Sequence, residues 1–208
     1  MKADAYSFAK QLDQEIEALS KSDYLRRRGR AKRLREELYP ISRLALYLKQ
    51  PGLGIEVEAF ENDGPVDGHI RESGFREREF DIEVTAEYCY DESLRDELLD
   101  AEGVSWGAGD IHRDKNSGKM IASPGVVNND AHFDAVSDAI VRLFRNKTSK
   151  TYPPKTALII AFDEIKLLGH YGWNQVLTRV ASQGGLTASA FDSVYLFNVA
   201  TNEMCRAA

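Results

Sequence analysis

Acidic residues that recur along a β-strand call for a reason, because Asp and Glu are depleted in strands. Residues 80–86 read Phe-Asp-Ile-Glu-Val-Thr-Ala. On a strand, Asp81, Glu83 and Thr85 share one face, and Phe80, Ile82 and Val84 share the other. Upstream, Asp67 follows Pro65-Val66 and precedes Gly68. If neighbouring strands bring Asp67 beside Glu83, two carboxylates converge at a sheet edge. Such a pair, with a main-chain carbonyl, suits a hard divalent cation, Mg2+ or Mn2+. That ion would polarise a phosphoryl oxygen and lower the pKa of an attacking water. His69 lies two residues after Asp67, shares its face on a strand and is a candidate for proton transfer. A histidine beside an acid also serves plain structural ends. For Glu56 and Glu58, the alternation of a half-solvated strand is explanation enough. The same solvated-face reading stands as the alternative for Asp67 and Glu83.

A second concentration of charge lies in residues 21–35. Lys21, Arg26, Arg27, Arg28, Arg30, Lys32, Arg33 and Arg35 put eight cations into fifteen positions. On one helix, Arg26, Arg30 and Arg33 would lie on a single face with Arg27 beside them. That face can grip phosphates without sequence preference. The alternative is a solvated helix paired with its own acids, Asp23, Glu36 and Glu37.

Other chemistries find less support. His69, His112, His132 and His170 are dispersed, with no pair at zinc-ligand spacing. Residues 103–109 contain neither a dinucleotide fingerprint nor a Walker lysine. The serines lack a nucleophile-elbow setting, and no Cys–His arrangement is evident. Cys89 and Cys205 are too few for a disulfide framework and read as two reduced thiols.

The elements that must position these residues follow from hydrophobic period. Phe8, Leu12, Ile16 and Leu19 recur at helical spacing. Ser22 or Asp23 can cap a second helix running to about Leu38, which Pro40 should end or kink. Ile41, Leu44, Leu46 and Leu48 continue the helical region, 1–50, to the stop at Pro51-Gly52. The period then changes from 3.6 to 2. Residues 54–60, 66–71 and 80–86 read as three short strands of an antiparallel meander. Residues 90–129 break the rhythm and read as a loop insertion, with a short helix at 91–99. Phe133, Val136, Ile140, Leu143 and Phe144 mark an amphipathic helix. Residues 156–162 form a continuous apolar run, as in a strand buried on both faces. A helix at 173–182 and a strand at 193–199 complete the order. Trp173, Tyr195 and Phe197 are assigned to the core.

Composition agrees with one globular domain spanning 1–208. The chain has 208 residues, 43% hydrophobic and 29% charged, which excludes collagen-like and wholly disordered classes. Its net charge of −6 argues against nucleic-acid binding by bulk charge, though not against an acidic catalytic pocket. No run approaches the roughly 18 apolar residues of a membrane span. Residues 1–5 lack the apolar core of a secretory signal, so a cytoplasmic location and no membrane partner are expected.

The segment Pro65-Val66-Asp67-Gly68-His69-Ile70, followed by Asp81-Ile82-Glu83-Val84-Thr85, resembles the core motif of the PD-(D/E)xK nuclease superfamily. The resemblance implies a mixed α/β, restriction-endonuclease-like fold, in which two further strands extend the meander and helices flank it. It makes Asp67 the motif aspartate and Glu83 the acid of the third-strand tripeptide. Glu36 or Glu37 would be the extra acidic ligand that some members use. The family's tripeptide ends in lysine, whereas this chain has Thr85, whose hydroxyl carries no charge. Either another cation reaches the site or catalysis has been lost. Arg142, Lys147, Lys150, Arg71 and Arg78 are the candidate cations.

Three functional expectations result. The first is a Mg2+- or Mn2+-dependent phosphodiesterase acting on DNA, with Asp67, Glu83, Thr85 and His69 at the centre, Asp67, Glu83 and Glu36 on the metal, and Arg26, Arg27, Arg30 and Arg33 on nucleic acid. The second is an inactive nuclease-like fold that binds nucleic acid or protein. The third is an assembly protein whose insert docks a protein partner or a second copy.

Overall fold

The alternation of apolar and acidic residues in 54–60 takes the form of a strand in the computed structural model. That model describes all residues except 61–63, 88–89, 107–108, 126–128, 165–168 and 188–189. The thiol expected at Cys89 lies outside the described residues; Cys205 is a free, partly buried cysteine.

Among the described residues, the main sheet has seven strands. They are β1 (Lys2–Asp4), β2 (Leu53–Ala59), β3 (Gly68–Gly74), β4 (Arg78–Glu87), β7 (Thr156–Phe162), β8 (Ser193–Asn198) and β9 (Glu203–Arg206), side by side in that order. The expected meander is present, with β2, β3 and β4 antiparallel. β7 pairs with β4 in parallel, and β8 with β7 in parallel. β1 and β9 add antiparallel edges. The fold is therefore mixed α/β. Two helices make the crossovers: α6 (Asn129–Thr148) joins β4 to β7, and α7 (Gly169–Ser182) joins β7 to β8.

Helices cover both faces of this sheet, and that decides which positions are buried. Ile55, Val57, Ile70, Phe80, Ile82, Val84, Ile159 and Phe197 face α1 (Ala5–Glu17) and α4 (Tyr39–Leu48) in one core. Leu158, Ile160, Val194 and Leu196 face α6 and α7 in a second. All seven residues of β7 are buried, as its unbroken apolar run requires. Trp173, Tyr195 and Phe197 lie in these cores as expected.

The basic segment departs from a single helix. It forms α2 (Lys21–Arg26), a break, α3 (Arg30–Arg33) and a π-helical turn at Leu34–Leu38. Arg27 caps α2 in the left-handed conformation, and Gly29 follows with φ 50°, ψ −123°, a region open chiefly to glycine. Arg26 and Arg30 consequently do not share a helical face. Pro40 does not end the helix either. Its ring would press on the carbonyl four residues back, at Glu36. The π turn widens the ladder there, with Tyr39 N–H reaching back to Leu34 O, and α4 starts directly after it.

Residues 90–129 are not a plain loop. They hold α5 (Tyr90–Glu102) and a hairpin of β5 (Ile111–Arg113) and β6 (Met120–Ala122). Leu94, Leu98 and Ile111 form a small core there, with Met120 and Ala122 against it. Among the described residues, no helix is long and apolar enough to cross a membrane.

Ile159 is fully buried in the strand that joins both halves of the sheet. Ile159→Ala should lower unfolding free energy by about 3 kcal/mol, read by urea denaturation.

Candidate active site

Asp67 stands where β3 parts from β4. The β3–β4 ladder closes with Gly68 opposite Ile82. Asp67 still donates its N–H to Ile82 O at 2.8 Å, and its own carbonyl accepts from Phe60 N–H at 3.0 Å. Among the described residues, the β3–β4 ladder does not continue past that point. The Val84 N–H, two residues past Ile82, points to the vacated edge and donates to Asp67 Oδ2 at 2.7 Å. The carboxyl is thus fixed by a backbone donor in place of a strand. Burial pushes its pKa up, opposed by that hydrogen bond and by the charges of Lys147 and Arg33.

Glu83 lies between Ile82 and Val84 on β4 and points to the face covered by α6. It is 8% exposed. Lys147, in the last turn of α6, ion-pairs with its Oε1. The Tyr152 hydroxyl donates to the same oxygen at 3.3 Å. Among the described residues, Oε2 accepts no hydrogen bond. Burial raises the Glu83 pKa, and the Asp67 charge raises it further, against the pull of Lys147 and Tyr152. Burial and the two carboxylates push the Tyr152 phenol well above its ordinary value. Tyr152 therefore remains a protonated donor at any physiological pH. Its ring packs on Phe191, centroids 4.7 Å apart.

The remaining candidates are distributed as follows. Thr85 is half-buried on the same strand, and Glu87 beyond it ion-pairs with Arg142. Arg142 and Lys147 thus take adjacent acids of β4, and of the five candidate cations it is Lys147 that reaches Glu83. Arg78 is held by Glu72 at 2.9 Å, at the opposite end of β4. His69 lies opposite Asp81 across the ladder, with Nδ1 and Oδ1 2.9 Å apart, and so is tied to Asp81. Glu36, in the π turn, sits among the charges of Lys32, Arg27 and Arg35. Among the described residues, no three His, Cys, Asp or Glu side chains are grouped to hold an ion; Glu36 is not brought to Asp67 and Glu83.

Of the four arginines assigned to nucleic acid, Arg33 is the one whose charge acts on Asp67. It also binds the Phe60 carbonyl and Glu37. Arg26 pairs with Asp100 and Glu97, Arg27 with Asp96, and Arg30 with Glu15. Those partners lie on α5 and α1, not on the basic segment itself. Tyr152 was not among the candidates. Nothing in its local sequence marks it, because the contact depends on how α6 hands the chain back to β7.

Half-buried Asp67 and buried Glu83 bring two carboxyls together, and the Asp67 charge raises the Glu83 pKa. Their hard oxygen donors are of the type that could hold a divalent cation. Lys147 adds a fixed cation on the same spot. No family model, no curated protein and no solved structure matches the chain.

Asp67 binds its proton more tightly folded than unfolded, so its ionisation weakens the fold as pH rises from the ordinary Asp range through the raised value. Asp67→Asn keeps an acceptor for Val84 N–H and loses the charge. Its melting temperature should exceed that of the unsubstituted protein at pH 7–8, with the gap closing toward pH 4. A gap that does not change with pH would refute the assignment.

Proposed function

We propose that this chain is a divalent-metal-dependent phosphodiesterase acting on DNA, built on a restriction-endonuclease-like core. The observation that carries this reading is the convergence of Asp67, Glu83 and the Lys147 ammonium at the parting of β3 and β4. The run of antiparallel meander, crossover helix and parallel strand supports the fold assignment.

In this reading the cation missing at Thr85 comes from α6. Asp67 and Glu83 would hold Mg2+ or Mn2+, which would polarise the scissile phosphate and acidify the attacking water. Lys147 places a positive charge and a proton donor where negative charge develops. Tyr152 fixes one oxygen of Glu83 and leaves the other for the cation. His69 has its ring committed to Asp81, so its part is to orient that acid, not to move protons at the metal.

One observation favours the silent alternative, a nuclease-like fold that only binds. A Lys147–Glu83 pair is also what a purely structural ion pair would look like. Metal titration by calorimetry separates the two, since the silent form has no site lost on Asp67→Ala or Glu83→Ala.

Incubation with plasmid and linear DNA in Mg2+ or Mn2+ should show cleavage. Asp67→Ala and Glu83→Ala should abolish it, and Lys147→Ala should slow it about 100-fold. Absence of cleavage by the unsubstituted protein, or cleavage indifferent to Asp67 and Glu83, would refute the reading.

A further inference from the structure

Arg26 of α2 and Arg27, its cap, are engaged by the protein's own carboxylates. Arg26 contacts Asp100 at 2.9 Å and Glu97 at 3.3 Å, and Arg27 contacts Asp96 at 3.3 Å. Ser22 adds a hydrogen bond to Asp100 at 3.0 Å, and Lys21 one to the Leu99 carbonyl at 3.4 Å. All three acids come from α5, at positions that fall on one side of a helix. Asp96 and Asp100 lie one turn, about 6 Å, apart. The paired side chains are only 12–26% exposed.

Apolar packing has little part in this junction. Helix α2 contains no buried residue. The buried apolar residues of α5, Leu94 and Leu98, turn instead to Ile111 and the hairpin, in a core separate from the two that hold the sheet. From that hairpin Arg113 takes Glu97 from the other side. The insert is thus a small unit with its own core, fastened to α2 by charge. Arginine binds carboxylate and phosphate with the same forked geometry. A phosphate backbone can therefore exchange for the α5 acids without any rearrangement of α2.

We propose that α5 is an internal mimic of a nucleic-acid backbone: Asp96, Glu97 and Asp100 occupy Arg26 and Arg27, and DNA engages α2 by displacing α5. This rests on the DNA reading above and names how access to that surface is regulated. Arg26 holds Asp100 below the usual carboxylate range, and Arg113 with Arg26 does so for Glu97. Burial instead raises the Asp96 pKa, against the charges of Arg27 and Arg35. Salt and polyanions release the mask, because partly exposed ion pairs are screened.

The test reads binding in EDTA, where no cleavage is needed. Fluorescence anisotropy with a short labelled DNA duplex compares the unsubstituted chain with Asp96→Asn/Glu97→Gln/Asp100→Asn. The variant should bind about tenfold more tightly near 0.1 M salt, with a log–log salt slope steeper by about 2. The gain should vanish when Arg26→Gln and Arg27→Gln are added. Neutralising Asp130 and Asp134, which pair with Arg179 between α6 and α7, controls for net charge and should change affinity less than threefold. Equal binding by variant and unsubstituted protein, or a gain that survives loss of Arg26 and Arg27, overturns the proposal. Should the triple variant not fold, hydrogen exchange of the unsubstituted protein decides. DNA should raise exchange across α5, and unchanged or slower exchange overturns the proposal. DNA that is bound through α2 but never cut would refute the nuclease reading and leave this one standing.

Discussion

Where β3 leaves β4, the Asp67 carboxylate takes the place of a backbone carbonyl and accepts the Val84 N–H at 2.7 Å. A buried backbone donor left unpaired would cost about 1–3 kcal/mol, so some acceptor must stand there. Asp has the reach to do it from the last residue before the strand. The same hydrogen bond fixes the carboxyl toward Glu83. The sheet's need for continuity and the site's need for a placed acid are met by one side chain. The charge is the part that does not serve the fold, since an amide would satisfy Val84 equally.

The rest of the architecture compensates for that charge. Glu83 can be buried only because α6 lies across β4 and ends with Lys147 over it. That position depends in turn on the parallel pairing of β7 with β4 and on Tyr152 lying just before β7, anchored on Phe191. Apolar cores on both faces of the sheet supply the stability against which a strained acidic pair is tolerated. A two-sided sheet is also what makes the site partly dry, and a dry site strengthens every interaction of charge within it.

Strand periodicity alone was enough to locate the meander, the buried strand 156–162 and the face shared by Asp81 and Glu83. These signals are local, since neighbouring residues on a pleated strand alternate by geometry. The break in the basic helix was less legible. Gly29 offered a hint, but the left-handed turn at Arg27 comes from chain reversal, not from its side chain. Within the insert, the helix expected at 91–99 is α5, whereas the hairpin was not legible, because among the described residues the core there has three buried apolar side chains, too few to impose a period. β1 and β9, at three and four residues, are too short to alternate visibly. At the site, Asp67 and Glu83 were legible through their strands, and Lys147 was one of five cations on offer. What selected it is a contact across 64 positions of sequence, set by how α6 crosses the sheet.

The insert lies inside the connection between β4 and β7, and chain statistics explain why the fold bears it. Bringing β4 and β7 together requires closing the intervening chain, and the insert roughly doubles the length to be closed. Each doubling costs only about 0.6 kcal/mol of closure entropy, and the ordered α5 and its hairpin shorten the flexible part again. A self-packed unit at this point is nearly free of thermodynamic consequence for the sheet. It can be lengthened, loosened or exchanged while the register that brings Glu83 beneath Lys147 stays the same.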